Sequence, residues 1–247
     1  MKNKKVSIWK KILIGIVSLV LILGIAMVAY TLVYYHSTKT LEQYAADATV
    51  NISQQGSIIT VANDEPNGTG IIFYPGAKVE YTAYIPLMEK LAESGYTCYI
   101  QKMPGNLAIF GINKAENIIN NTDNNNIDIW YIAGHSLGGA MASSYAAKNS
   151  EKLAGIIFLG AYPAYDLSST SLNMLSIIGS NDGVLNRESY ESAKSFAPDN
   201  ATYDIIEGGN HAYYGDYGEQ KGDGTATITR QEQIDQAAEL IIKFFQK

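Results

Sequence analysis

The sequence predicts an α/β protein, with a mostly parallel sheet and helices on both faces, preceded by one N-terminal transmembrane helix. From about residue 57 onward, short apolar runs alternate with stretches of helical spacing. Such alternation is typical of parallel strands joined by helical crossovers. An apolar run without charges precedes this region. The composition, 47% hydrophobic and 17% charged, is that of an ordinary globular domain.

The N-terminal apolar run, residues 12–35, is long enough to cross a membrane. As a helix it spans about 36 Å, against a hydrocarbon core of about 30 Å. The first 35 residues hold five lysines and no acidic residue, so the positive-inside rule keeps the N-terminus in the cytoplasm and the domain outside. Gly24-Ile25-Ala26 leaves a cleaved signal peptide as the alternative. Cleavage there would expose an apolar new N-terminus, which favours an uncleaved anchor.

These features divide the chain into four parts. We expect a cytoplasmic basic segment at 1–11, a transmembrane anchor at 12–35, a stalk at 36–55 and an α/β domain at 56–247. Beyond residue 35 the chain carries 13 basic and 24 acidic residues, a formal charge of −11. A field of that sign does not favour nucleic acid as a partner. The one cysteine, Cys98, lies in an apolar run and is expected to be buried.

The order of predicted strands and helices locates the candidate site. Ligands of parallel sheets bind beyond the carboxyl ends of the strands, so polar residues that follow strands are the candidates. Strands are predicted at 57–62, 70–74, 97–101, 127–133, 153–159, 172–178 and 202–207. Helices are predicted at 81–94, 107–119, 137–148, 188–196 and 231–245.

A strand-to-helix turn supplies the candidate nucleophile. Gly134-His135-Ser136-Leu137-Gly138 matches the G-x-S-x-G pattern, follows a predicted strand and opens a predicted helix. The glycines remove side chains that would collide across so sharp a turn. The helix N-terminus adds a positive dipole near a developing oxyanion. Ser136 is therefore the predicted nucleophile.

A serine nucleophile needs a general base and an acid that orients it. Of the three histidines, His36 lies at the membrane edge and His135 is adjacent to the serine. His211, in a loop after the last predicted strand, is therefore the predicted base. Asp182 directly follows a predicted strand and is the predicted acid, and Asp166, after the preceding strand, is the alternative. The order serine, aspartate, histidine is that of α/β hydrolases.

The remaining site residues follow from loop positions. One oxyanion donor is the N–H of Leu137, and the other is that of Gly76 or Ala77, which the sequence leaves open. About a dozen residues separate the predicted strands that end near 160 and begin near 172. A crossover alone needs that many, so we expect no cap of helices and an open cleft. Candidate walls are Tyr162, Tyr165, Tyr213 and Tyr214.

Four motifs together carry a family resemblance, over residues 58–245. They are Phe73-Tyr74-Pro75-Gly76-Ala77, Gly134-His135-Ser136-Leu137-Gly138-Gly139, Gly179-Ser180-Asn181-Asp182 and Gly209-Asn210-His211-Ala212. The chain resembles the α/β-hydrolase superfamily, in its small lidless branch akin to dienelactone hydrolases. The resemblance implies the α/β-hydrolase fold and a catalytic triad. Dienelactone hydrolases use a cysteine nucleophile, whereas this turn carries Ser136, which favours ordinary ester hydrolysis over lactone chemistry.

We therefore expect a membrane-anchored serine hydrolase that cleaves a small carboxylic ester, of short or medium acyl chain, through an acyl-enzyme. The expectation includes no metal and no cofactor. Lipase, thioesterase and amidase activities stay open. An acyltransferase acting on a cell-envelope acceptor would use the same triad. A non-catalytic anchored binding module is the third alternative, and it has no need of all three triad residues.

Overall fold

The structure, a computed structural model, describes residues 7–124 and 126–246 and is built around one sheet of eight strands. The order of the strands across the sheet is β1-β2-β4-β3-β5-β6-β7-β8. The strands are β1 Asn51–Gln55, β2 Ile58–Ala62, β3 Thr69–Tyr74, β4 Thr97–Gln101, β5 Ile129–His135, β6 Gly155–Leu159, β7 Asn173–Gly179 and β8 Ala201–Ile206.

The sheet is parallel over most of its width. Strands β3 to β8 pair with one another only in parallel. At one side of the sheet, β2 is antiparallel to β4, and β1 is antiparallel to β2. The carboxyl ends of six strands therefore meet along one edge, which we call the C-terminal edge. It is defined by the last residues of β3 to β8, namely Tyr74, Gln101, His135, Leu159, Gly179 and Ile206.

Helices cover both faces of the sheet, as predicted. The helices of the described chain, including the N-terminal α1, are α1 Ile8–Leu32, α2 Leu41–Asp47, α3 Ile85–Glu93, α4 Lys114–Ile119, α5 Leu137–Ala146, α6 Arg187–Ala193 and α7 Arg230–Phe245. One core lies between the sheet and α3 with α7, and the other between the sheet and α4 with α5. Alternate residues of β3 enter opposite cores: Ile71 and Phe73 enter the first, and Ile72 and Tyr74 the second.

The predicted helix 107–119 is two shorter pieces. One turn of 3₁₀ helix spans Ala108–Phe110, and α4 begins only at Lys114. Gly111 lies between them with φ −140° and ψ 27°, outside the helical region. A Cβ at this position would come within 2.7 Å of the Met103 sulfur. The chain therefore packs closely at Gly111, and local helical spacing could not reveal that.

Residues 36–55, predicted as a stalk, instead pack on the domain. A capping box formed by Thr40 and Gln43 starts α2. Tyr44 of this helix is buried, and its hydroxyl donates to the Asp216 carboxylate at 2.9 Å. Strand β1 extends the sheet as an antiparallel edge. The prediction failed because the anchoring side chain meets a partner 172 residues further along the chain.

Helix α1 is long and apolar enough to cross a membrane. It has 25 residues, with a mean hydropathy of 3.0 over its most apolar 18-residue window, and none of its residues is buried.

Within the sheet, Cys98 of β4 is fully buried, as predicted. Burial raises the pKa of its thiol well above the ordinary value.

Candidate active site

Ser136 occupies a strained turn between β5 and α5. Its backbone has φ 53° and ψ −125°, which is a rare conformation for a residue with a side chain. The turn is tight because β5 and α5 meet directly against the loop after β3. A Cβ on Gly138 would overlap the carbonyl oxygens of Tyr74 and Pro75. The glycine of the motif is thus required by the packing of the serine turn against that loop.

The imidazole of His211 is held by Asp182. The Nδ1 atom of His211 lies 2.8 Å from Oδ2 of Asp182, and both side chains are buried, with 2% and 0% exposed. The other carboxylate oxygen accepts the N–H groups of Val184 and Leu185 at 2.9 and 2.8 Å. With Nδ1–H donating to the carboxylate, Nε2 carries the free lone pair. It has no hydrogen-bond partner among the described residues.

The alternative acid, Asp166, lies elsewhere. It is exposed, and its Oδ1 accepts both the N–H and the hydroxyl of Ser168, at 2.9 and 2.7 Å. These hydrogen bonds lower the pKa of the Asp166 carboxyl. The structure pairs His211 with Asp182 and not with this residue.

Ser136 and His211 line one open cavity of about 320 Å³. Tyr162 and Leu185 are among its other wall residues. Gly160 also borders it, with φ +52°, and a Cβ there would lie 3.0 Å from Nδ1 of His211. A side chain at this position would displace the histidine. Within residues 7–124 and 126–246, no group of three or more His, Cys, Asp or Glu side chains could hold a metal ion.

The geometry separates the two oxyanion candidates that the sequence left open. The N–H of Gly76 donates to the Tyr84 hydroxyl at 3.0 Å, so it is already engaged. The N–H of Ala77 donates to no group in the described part of the chain, and this residue is half-buried. Leu137 is the first residue of α5, where an N–H has no acceptor within the helix. The backbone N–H groups of Ala77 and Leu137 are therefore the two candidates that remain available to an oxyanion.

His135, adjacent to the serine, is the centre of a buried hydrogen-bond chain. Its Nε2 lies 3.0 Å from the carbonyl oxygen of His211, and its Nδ1 lies 2.8 Å from the Tyr84 hydroxyl. Because a carbonyl only accepts, Nε2 carries the proton and Nδ1 accepts from Tyr84. Burial, and then the proximity of His211, holds the pKa of His135 well below its ordinary value. No role was predicted for this residue, because its partners Tyr84 and His211 lie 51 and 76 residues away in the sequence.

Asp223 is a second residue that the sequence analysis missed. Its Oδ1 accepts the N–H groups of Gly183 and His211, at 3.0 and 3.1 Å, and its Oδ2 accepts that of Ala212 at 2.8 Å. One carboxylate thus joins the loop after β7, which carries Asp182, to the loop after β8. The only local signal is an aspartate between two glycines, which is equally typical of a solvated turn.

Of the four tyrosines predicted as walls, the structure brings only Tyr162 to the cavity. Tyr214 is fully buried and donates to the carbonyl oxygen of Ile177 at 3.1 Å. Tyr213 donates to Glu219 outside the cavity, and Tyr165 is exposed without lining it. Tyr213 and Tyr214 are adjacent in one short helical turn, so their side chains point in different directions. Their closeness to His211 in the sequence therefore did not predict which of them lines the cavity.

Comparisons with known proteins agree with this architecture. Residues 70–235 match the model of the alpha/beta hydrolase family. No curated protein matches the sequence. The fold is similar to that of naproxen esterase from Bacillus subtilis, with TM-score 0.60, 14% identity, and 83% of this chain and 95% of that one covered. It is also similar to dienelactone hydrolase from Anabaena variabilis, with TM-score 0.57, 17% identity, and 80% and 95% covered.

A third similar structure is Est1E from Butyrivibrio proteoclasticus, with TM-score 0.57, 16% identity, and 79% of this chain and 98% of that one covered. At such identities the structural similarity establishes the fold. The family match covers more than half of the chain and includes the serine turn, Asp182 and His211. The chain therefore belongs to the alpha/beta hydrolase family, and the resemblance read from its motifs is confirmed.

Proposed function

We propose that this protein is a membrane-anchored serine hydrolase that cleaves carboxylic esters through Ser136, His211 and Asp182. One observation carries the proposal: the buried His211–Asp182 pair leaves Nε2 without a partner among the described residues, beside a cavity that the strained serine also lines. A strained backbone at a partly exposed serine is typical of a functional site and costs folding stability.

In the proposed reaction, Nε2 of His211 takes the proton of Ser136 as Oγ attacks the acyl carbonyl. The N–H groups of Leu137 and Ala77 stabilise the oxyanion of the tetrahedral intermediate. The C–O bond to the alcohol breaks, and the alcohol leaves with the proton from His211. Water then attacks the acyl-enzyme, with His211 again accepting a proton, and this step releases the acid and regenerates the serine.

The shape and lining of the cavity favour an ester substrate with a short or medium acyl group. Residues 160–172, between β6 and β7, form bends and turns without a helix, so no cap covers the site from this loop. The cavity is open, and its lining is mostly apolar, with Ala140 and Val184 among its wall residues. Among structurally similar proteins, one is a naproxen esterase and one a thermophilic esterase from Thermogutta terrifontis, which favours ester substrates.

The proposed location rests on α1 and on the residues before it. Helix α1 is long and apolar enough to span a membrane. The first 35 residues contain five lysines and no acidic residue. The positive-inside rule supports an orientation with the domain outside the cytoplasm. The apolar N-terminus that cleavage after Ala26 would expose supports an uncleaved anchor. Protease added to intact, wall-stripped cells should digest the domain, whereas complete protection would overturn this orientation.

A panel of p-nitrophenyl esters, from acetate to palmitate, tests the proposed activity on the full-length protein in detergent. We expect hydrolysis that is fastest for short or medium acyl chains. Matched thioester and anilide substrates are expected to be cleaved more slowly. Absence of hydrolysis across the ester panel, combined with no reaction with a fluorophosphonate probe, would refute the proposal.

A further inference from the structure

The end of helix α1 lies against the C-terminal edge of the sheet. Thr31, in its last turn, contacts the loop after β4 so closely that a Cβ on Gly105 would lie 2.9 Å from the threonine methyl carbon. The ammonium of Lys78, in the loop after β3, lies 4.1 Å from the centre of the Tyr30 ring. Helix α1 is thus in contact with two of the loops that form the candidate active-site edge.

The connection between α1 and the domain is short. The helix ends at Leu32, and the N–H of Tyr35 already donates to the carbonyl oxygen of Lys78 at 2.7 Å. The carbonyl of Tyr35 in turn accepts the N–H of Glu80 at 2.9 Å. Only two residues separate the helix from this fixed pairing. A membrane-spanning α1 would therefore hold the loop after β3, which carries Ala77, near the membrane surface.

The same edge exposes an apolar pair. Ile109 and Phe110 are 52% and 51% exposed. They belong to the single 3₁₀ turn Ala108–Phe110, which packs against α5. The surrounding segment, residues 102–114, has a lysine at each end and no acidic residue, in a domain of strongly acidic composition. Exposed apolar side chains flanked by lysines are typical of surfaces that lie in the lipid headgroup region.

The exposed pair lies next to the cavity. Helix α5, against which the Ala108–Phe110 turn packs, begins immediately after Ser136. Its residues Leu137 and Ala140 form part of the cavity wall. Val184, which is also in that wall, is another exposed apolar residue at the C-terminal edge. A membrane in contact with the pair would therefore lie beside the entrance to the cavity.

We propose that the surface formed by Tyr30, Lys78, Ile109 and Phe110 rests on the outer face of the lipid bilayer, and that the site takes its ester from the membrane. This inference rests on the proposed function and names its substrate class: an amphiphilic ester dissolved in the bilayer, whose acyl group fits the cavity. The occupant of the surface is the lipid bilayer to which α1 belongs.

Fluorescent labelling tests the surface without using the activity. Because the only cysteine of the sequence, Cys98, is fully buried, a cysteine introduced by Ile109→Cys can be labelled selectively with an environment-sensitive dye. The matched control is Ile129→Cys, since Ile129 is 46% exposed and is the first residue of β5, at the opposite edge of the sheet. Both full-length variants are reconstituted in vesicles of phosphatidylcholine and phosphatidylglycerol.

We expect a blue-shifted emission at position 109, and quenching by a nitroxide lipid, with neither effect at position 129. Equal emission and equal quenching at the two positions would overturn the proposed contact with the bilayer. Labelling of the unsubstituted protein under the same conditions controls for reaction at Cys98.

Hydrolysis by the full-length protein, reconstituted in vesicles of the same lipids, tests the substrate class. Two butyrate esters are compared: soluble p-nitrophenyl butyrate, and a butyrate of a hexadecyl-tailed fluorogenic alcohol that partitions into the bilayer. We expect the double variant I109S/F110S to cleave the bilayer ester on the order of tenfold more slowly. The reason is that contact of these two apolar side chains with the lipid holds the cavity entrance at the bilayer surface. Its rate on the soluble ester should stay near that of the unsubstituted protein, and Ile129→Ser should change neither rate.

The outcomes separate the two proposals. If the unsubstituted protein cleaves neither ester, the proposed function fails, whereas the labelling result still decides the surface. If it cleaves the soluble ester but not the bilayer ester, or if I109S/F110S lowers both rates equally, the membrane source of the substrate is wrong and the hydrolase assignment stands.

Discussion

The imidazole of His135 donates a hydrogen bond from Nε2 to the main-chain carbonyl oxygen of His211, at 3.0 Å. Through its other nitrogen it accepts from the Tyr84 hydroxyl, which itself accepts the N–H of Gly76. One buried side chain therefore joins the serine turn, the loop that carries His211 and the loop that carries Gly76 and Ala77. Such a fully satisfied buried network fixes the relative positions of its members.

Replacing the proposed nucleophile should nearly abolish activity. We expect Ser136→Ala to lower kcat by on the order of 10³-fold or more, because no other group can form the acyl-enzyme. Fluorophosphonate labelling of the purified variant should be lost. Ser53→Ala, at an exposed position of β1, is the control and should leave both unchanged. Full labelling of the Ser136→Ala protein would assign the nucleophile elsewhere.

Removing the Tyr84 hydroxyl should disturb catalysis more than binding. Tyr84→Phe leaves the Gly76 N–H without its acceptor and His135 Nδ1 without its donor. We expect kcat to fall by about tenfold with KM nearly unchanged, because misplaced oxyanion donors act in the transition state.

The control for this variant is Tyr145→Phe, which removes the part-buried hydrogen bond of a tyrosine hydroxyl to Glu116, at 2.8 Å. Tyr84→Phe should cost about 1–3 kcal/mol of unfolding free energy, because it leaves buried partners unsatisfied. Tyr145→Phe should cost less, because the Glu116 carboxylate keeps its hydrogen bonds to Lys152. Equal kcat values for the two variants would show that the Tyr84 hydroxyl only stabilises the fold.

The neutral His135 should make the protein less stable in acid. Its pKa in the folded protein is well below the ordinary value, because burial, and then the nearby His211, disfavours the charged form. The unfolded chain, with a His pKa of about 6.5, therefore binds a proton that the folded protein does not. Stability from this group is fully present above about pH 6.5 and falls by about 1.4 kcal/mol per pH unit below it.

Thermal melting of the full-length protein in detergent, between pH 7.5 and 5, measures this dependence. His135→Gln removes the titrating group, so its melting temperature should fall less steeply over the same range, even if it is lower throughout. The same slope for both proteins would contradict the assignment of a buried neutral imidazole at this position.

Asp223 should support the site without contacting substrate. Asp223→Ala leaves the N–H groups of Gly183, His211 and Ala212 without a carboxylate acceptor. We expect a loss of about 2 kcal/mol or more in unfolding free energy, and a fall in kcat, because the loop of the base loosens. Chemical denaturation and steady-state kinetics measure the two effects. The control Asp199→Ala, at an exposed position, should change neither, and unaltered kcat in Asp223→Ala would remove this residue from the positioning of His211.

Much of the architecture was predictable because it depends on neighbours in sequence. Apolar runs and helical spacing predicted seven of the strands within a few residues. The signal is most direct for β6, which is buried on both faces and apolar throughout. The serine turn was also predictable, because its glycines and Ser136 are contiguous in the sequence. The antiparallel strand β1 was missed: its residues, Asn51–Gln55, are mostly exposed and carry no apolar pattern.

The sequence by itself determined the α/β class, the apolar N-terminal helix and a short set of candidates at the strand ends, because periodicity, charge and turn chemistry act locally. Only the tertiary structure decided among those candidates. It paired His211 with Asp182 and gave His135 its neighbours. It also engaged the Gly76 N–H, whereas that of Ala77 has no acceptor within residues 7–124 and 126–246. Each of these results comes from contacts between residues that lie on different loops. Such contacts exist only once the parallel strands bring their carboxyl ends to one edge, and no local pattern records them.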